Sequence, residues 1–245
     1  DGAAFDEFGY AVAVSETNVF VGAPFDDDGA NQSGSVYVYN ATNFAEKLVS
    51  PMTPSGDEFF GQSVATFGNI LVVGEPAGEG LSTTSGTVSV FITTDGGATW
   101  DFAQELVAPD GKNNDDFGAS VAIYESYVIV GAPRDDDNGG QSGSAYIFNT
   151  TDGGATWSFV EKLVAPDGEG NDQFGNAVAI YGDDVVVGAS RDDDNGSLSG
   201  SAYVFSTTNG GATWPFVVKL VAPDGVAGDR FGFSVAISEN NVFVG

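Results

Sequence analysis

Residues 116–168 read DFGASVAIYESYVIVGAPRDDDNGGQSGSAYIFNTTDGGATWSFVEKLVAPDG, and most of the remaining chain is a copy of this stretch. Its opening pair, Phe117-Gly118, recurs at Phe8-Gly9, Phe60-Gly61, Phe174-Gly175 and Phe231-Gly232, at intervals of 52, 57, 57 and 57 residues. A fixed period of this size marks a repeat architecture whose units bury their faces only against neighbours. Inside each unit the apolar residues fall in short blocks bounded by Gly, Asp, Asn and Ser, with no helical periodicity. Four strands are predicted per unit: 117–124, 127–133, 144–150 and 158–166. The second is apolar on both sides, as a strand between two layers should be. Small residues (Gly118, Ala119, Ala122) suit an inner first strand, and Glu161-Lys162 suits an outer, wetter fourth strand, so burial is expected to fall from first to fourth.

Four-stranded antiparallel sheets repeated around an axis make an all-β propeller. A single region, 1–245, holds blades at about 8–51, 60–109, 117–166 and 174–223, with 231–245 as half of a fifth. It reads as an excerpt of a larger propeller, for which seven blades is one expectation; linear stacking is the alternative.

The chain carries seven basic and thirty-five acidic residues, a formal net charge of −28. Nucleic acid and anionic membranes are excluded as partners, because both need Lys and Arg to displace counterions. Divalent cations or basic partners are favoured, with solubility in salty surroundings as the plainer account. Neither Cys nor His is present, which removes disulfides, thiolate and imidazole metal sites, and Ser-His-Asp chemistry. No apolar run is long enough to insert into a membrane.

The segments FGYAVAV…VFVGAP (8–24), FGQSVAT…LVVGEP (60–76), FGASVAI…VIVGAP (117–133), FGNAVAI…VVVGAS (174–190) and FGFSVAI…VFVG (231–245) resemble the FG-GAP repeat of integrin α-subunit propellers and of many secreted microbial and algal proteins. In calcium-binding integrin blades an Asp-x-Asp-x-Asp-Gly loop joins the FG and GAP elements. Here those links are as short as Glu125-Ser126, so that site is not carried over. TTDGGATW (93–100 and 150–157) and TTNGGATW (207–214) resemble the Asp-box, read as a structural turn closed by its own Asp or Asn.

The loops after GAP are acidic: Asp26-Asp27-Asp28, Asp135-Asp136-Asp137-Asn138 and Asp192-Asp193-Asp194-Asn195. Such oxygen-rich, flexible loops suit Ca²⁺, with Asp26, Asp28, Asp135, Asp137, Asn138, Asp192, Asp194 and Asn195 as ligands. A solvated turn is the plainer account. Blade two has Ala77-Gly78-Glu79-Gly80 instead and is expected to be metal-free. In an antiparallel blade the second-to-third loop and the inter-blade linker emerge on one face, which gathers most of the acidic residues into a negative plate. The resemblance implies that this face carries partner binding. The expected role is a non-enzymatic extracellular or cell-surface module for adhesion or assembly. Its partner would be a protein or glycan at the acidic face, or further copies packed laterally. The alternative is a carbohydrate-active enzyme of glycoside-hydrolase or sialidase type using a carboxylate pair; blade-symmetric acids speak against it. Sequons at Asn31, Asn40, Asn149 and Asn195 fit a secreted glycoprotein.

Overall fold

The computed structural model describes residues 5–27, 30–40, 43–52, 56–78, 80 and 84–245. Blade one is β1 (Val12–Val14), β2 (Asn18–Ala23), β3 (Ser35–Asn40) and β4 (Asn43–Leu48). Blade two is β5 (Ser63–Phe67), β6 (Ile70–Glu75), β7 (Thr87–Ile92) and β8 (Asp101–Leu106). Blade three is β9 (Ser120–Tyr124), β10 (Tyr127–Ala132), β11 (Ser144–Asn149) and β12 (Ser158–Leu163). Blade four is β13 (Phe174–Tyr181), β14 (Asp184–Ala189), β15 (Ser201–Ser206) and β16 (Phe216–Leu220). The half-blade is β17 (Val235–Ser238) with β18 (Asn241–Val244). Each sheet runs in chain order with antiparallel neighbours. The first strands contact the first strands of adjacent blades, so the Phe-Gly segments are innermost.

Strand periodicity sorts side chains onto two faces. In blade three Val128, Val130, Ala132, Tyr146 and Phe148 pack with Val72, Val88 and Leu106 of blade two. The alternate residues Ile129, Ala145, Ile147 and Leu163 pack with Phe174, Val185 and Val187 of blade four. The core is thus a series of inter-blade layers. Phe60, Phe117 and Phe174 are fully buried in these layers, whereas Phe8 is 54% exposed. Phe117 meets Tyr146 and Phe148 edge-on, with ring centroids 5.4 and 6.0 Å apart.

Burial peaks in the second and third strands rather than in the first. The first strand is the inner edge of its sheet and pairs on one side only, so β9 is half-buried over most of its length. The fourth strand also departs from a simple wet edge. A bulge falls at the same place in every complete blade, between Ile147 and Phe148 in blade three. Below it, consecutive residues Glu161 and Lys162 pair with Ile147 and Tyr146 and so serve opposite faces. The Glu161 carboxylate accepts the Trp214 backbone N–H of the next blade at 2.6 Å. Glu46 and Gln104 do the same for Trp100 and Trp157, at 3.1 and 2.7 Å.

Glycines repeated from blade to blade mark backbone crossings. A Cβ on Gly131 would lie 2.0 Å from the carbonyl oxygen of Gly175 in the next blade. A Cβ on Gly143, at φ +84°, would lie 2.0 Å from the Phe174 carbonyl oxygen. Both approaches require a residue without a side chain. Gly143 and Phe174 form an isolated parallel bridge, and the Phe174 N–H donates to Ser142 O at 3.0 Å. Equivalent bridges join Gly34 to Phe60 and Gly200 to Phe231.

Candidate functional site

The second-to-third loops and the inter-blade linkers do share a face, joined by backbone bonds such as Asn114 N–H to Thr84 O (2.8 Å) and Asn171 N–H to Gly140 O (2.9 Å). Within each described acidic loop the first carboxylate is inside and the following ones are outside. Asp26, Asp135 and Asp192 are 2–3% exposed, while Asp136, Asp137, Asn138, Asp193, Asp194 and Asn195 are exposed. Asp28 lies outside the described residues.

The buried acid meets a cation built into the blade. Asp135 Oδ2 accepts from the Tyr146 hydroxyl at 2.7 Å and from Lys162 Nζ at 2.9 Å. Its other oxygen accepts the Asp137 N–H at 3.0 Å. Lys162 also donates to Asp110 Oδ2 of the incoming linker at 2.7 Å, and to Asp137. Its ammonium lies 5.2 Å from the Tyr146 ring centre. Blade four repeats the arrangement: Asp192 with Tyr203 at 2.8 Å and Lys219 at 2.8 Å, and Lys219 with Asp167 at 2.8 Å and with Asp194. In blade one Asp26 accepts from Tyr37, Ser35 and Lys47 at 2.8, 2.8 and 2.9 Å.

Asp110, Asp135 and Asp137 offer oxygens within 4.8 Å of one another, a separation a metal ion could bridge. Lys162 Nζ occupies the middle of that cluster. A Ca²⁺ ion there would have to displace the ammonium, so the donor set fits a lysine better than a calcium ion. Asn138 is held by its own loop instead, its N–H donating to Ser142 Oγ at 3.1 Å. Burial works against the Lys162 charge, but bonds from Asp110, Asp135 and Asp137 more than offset it and hold the amine above its usual range. Burial and the Asp135 bond push the Tyr146 hydroxyl up, which keeps it a neutral donor. The sequence signal missed was the pairing of a Lys in the fourth strand with a Tyr in the third, present in blades one, three and four.

Blade two lacks all three members: Gly78, Ser89 and Glu105 stand at the positions of Asp135, Tyr146 and Lys162. Glu75 replaces the GAP alanine and is 2% exposed. Its Oε2 accepts from Ser50 Oγ and Thr87 Oγ1, each at 3.2 Å. Burial, reinforced by the negative charge of Glu58, pushes its carboxyl up to about 8.

The Asp-box turns are structural. Asp152 accepts the Thr156 N–H and hydroxyl at 2.9 and 2.6 Å and the Thr150 hydroxyl at 2.9 Å, which lowers its carboxyl to about 2. Asn209 holds the same turn in blade four. Trp100, Trp157 and Trp214 close these turns and are buried. Of the sequons, Asn31 and Asn195 are exposed, whereas Asn149 is half-buried.

The model of the FG-GAP repeat matches residues 1–39, 45–91, 100–148, 157–205 and 214–245. Integrin alpha-2 of Mus musculus is 28% identical over 213 residues, covering 74% of this chain and 17% of the relative. The chain therefore spans about a sixth of the length of that relative. With far more than half of its length matched, the chain belongs to the FG-GAP repeat family. Among the described residues no helix is long and apolar enough to cross a membrane.

Proposed function

We propose that this FG-GAP repeat chain is a non-enzymatic, extracellular or cell-surface module for adhesion or assembly, engaging a partner through its acidic loop face. Membership of the family and the likeness to an integrin α-subunit support an adhesion-type role. The observation that carries the acidic face is the division of labour within each loop. The buried Asp135 and Asp192 serve the fold, while Asp136, Asp137, Asp193 and Asp194 stay exposed beside them. Repetition from blade to blade sets several such charges in a row, suited to a basic protein surface. A glycan partner and lateral self-assembly are the other occupants of that face.

Calcium at the acidic loops is assigned a minor part in this reading, because Lys47, Lys162 and Lys219 already supply the countercharge in blades one, three and four. The enzyme alternative finds little support. Glu75 breaks the repeat symmetry and has a raised pKa, yet at 2% exposure it offers no access to a sugar; Glu105, which also breaks the symmetry and is raised by burial, has one carboxylate oxygen fully buried.

Solid-phase binding to basic extracellular proteins, glycan arrays and sedimentation of the free chain test this directly. Saturable binding to a basic protein is expected, weakening with salt and with Asp136→Asn plus Asp193→Asn. Hydrolysis of a polysaccharide or sialoside, abolished by one Asp→Asn or Glu→Gln change, would replace the reading with the enzyme.

A further inference from the structure

Blade two reproduces the buried acid of its neighbours without reproducing the cation. Glu75 takes over from Asp26, Asp135 and Asp192. Thr87 Oγ1, at the position from which Ser35 holds Asp26, donates to Glu75 instead. A Cβ on Gly78 would lie 3.0 Å from Glu75 Cγ and 2.6 Å from Thr87 Oγ1, so Glu75 fills the space an aspartate at 78 would need. Where the other blades place a lysine, blade two places Glu105, which adds a negative charge to the site instead of removing one.

A second observation points to a missing ligand. Ser89 is fully buried and its Oγ has no hydrogen-bond partner among the described residues. It stands at the position of Tyr146, pairs across the sheet with Glu105, and shares a face with Thr87 two residues away. Its hydroxyl therefore belongs to the same inter-blade space as Glu75. Glu105 Oε1 is likewise buried without a hydrogen-bond partner. A buried polar atom left unmatched is costly, and a native site ordinarily supplies its partner.

We propose that blade two binds a hard divalent cation, of the Ca²⁺ class, between Glu75 and Glu105, with Ser89, Thr87 and Ser50 as neutral oxygens around it. The donor set is entirely oxygen, without sulfur or nitrogen, which selects Ca²⁺ or Mg²⁺ over transition metals. The ion does for blade two what Lys47, Lys162 and Lys219 do for the others: it holds a buried carboxylate ionised. Glu58, from the linker, adds its charge to the same region. This proposal is independent of the adhesion reading, since it concerns the interior of one interface and no partner.

The test is thermal unfolding of the full chain in millimolar CaCl₂ against EGTA, at constant ionic strength, with isothermal titration of Ca²⁺. A ligand that binds only the folded state raises Tm in step with the logarithm of its concentration. A Ca²⁺-dependent rise and one binding site are expected for the parent chain. Glu75→Ala, which installs the residue of the other blades, should abolish both. Glu75→Gln and Glu105→Gln serve as milder variants should the alanine fail to fold. Asp137→Asn in blade three should leave the Ca²⁺ response intact. The proposal is overturned if Ca²⁺ leaves Tm unchanged, if the response survives both Glu75→Gln and Glu105→Gln, or if Asp137→Asn removes it. A parent chain insensitive to Ca²⁺ but stabilised by Glu75→Gln would mean that the site holds a proton.

Discussion

Blades two and three share a backbone and differ in how each neutralises the acid buried beneath its second-to-third loop. In blade three Asp135 is satisfied by Tyr146 and Lys162, and the lysine reaches onward to Asp110 in the linker. In blade two the acid is Glu75, its partners are hydroxyls, and the residue at the lysine position is Glu105. The apolar faces are nevertheless equivalent, because Phe60 and Phe117 occupy matching inter-blade layers. Packing by shape and compensation of charge are therefore separable layers of the same repeat, and only the second has diverged.

The largest expected effect tests what the two blades have in common. Phe60→Ala and Phe117→Ala should each cost about 3–5 kcal/mol, the range for a buried phenylalanine, in chemical unfolding. A much smaller loss at Phe60 would show that the layers are not equivalent. Next comes the charge. Lys162→Met should cost about 2–3 kcal/mol, since it strands Asp135 beneath the loop, a penalty reduced by the exposure of Asp110 and Asp137. Glu105→Met in blade two should be neutral or stabilising in EGTA. Equal losses from the two methionines would erase the distinction.

A smaller effect is carried by pH. Glu75 binds its proton more tightly in the folded chain, with a folded pKa of about 8 against the ordinary glutamate value of 4.5. In EGTA its contribution is therefore fully favourable below the unfolded pKa and is lost as pH rises from about 4.5 towards 8. Glu75→Gln should flatten that slope and gain about 1–2 kcal/mol at pH 8. An unchanged slope would place the ionisation elsewhere. The smallest effect is at the Asp-box of blade three. Asp152→Asn should be silent, because Asn209 already serves blade four, while Asp152→Ala should lower Tm slightly.

The propeller was legible because the 57-residue period repeats every cue that places a strand. Gly131 and Gly143 illustrate the limit of that reading. Their need for glycine comes from a carbonyl in the next blade, a contact no local pattern displays. The acidic loops were found, but the occupant of their centre was not. Lys162 lies 25 residues beyond Asp137, in a strand whose charged pair suggested solvent. The bulge beside Phe148 was equally hidden, and it sets which residues Glu161 and Lys162 meet across the sheet. Glu75 was visible as a substitution in GAP, but its burial followed only from the packing of blade two against blade one.

The contact between Glu46, Gln104 or Glu161 and the tryptophan amide of the following blade has a direction: the earlier blade holds the acceptor and the later one supplies the N–H. During synthesis the acceptor therefore leaves the ribosome first. For this contact each newly made blade meets an acceptor already in place. Assembly can proceed at the pace of translation, one interface at a time.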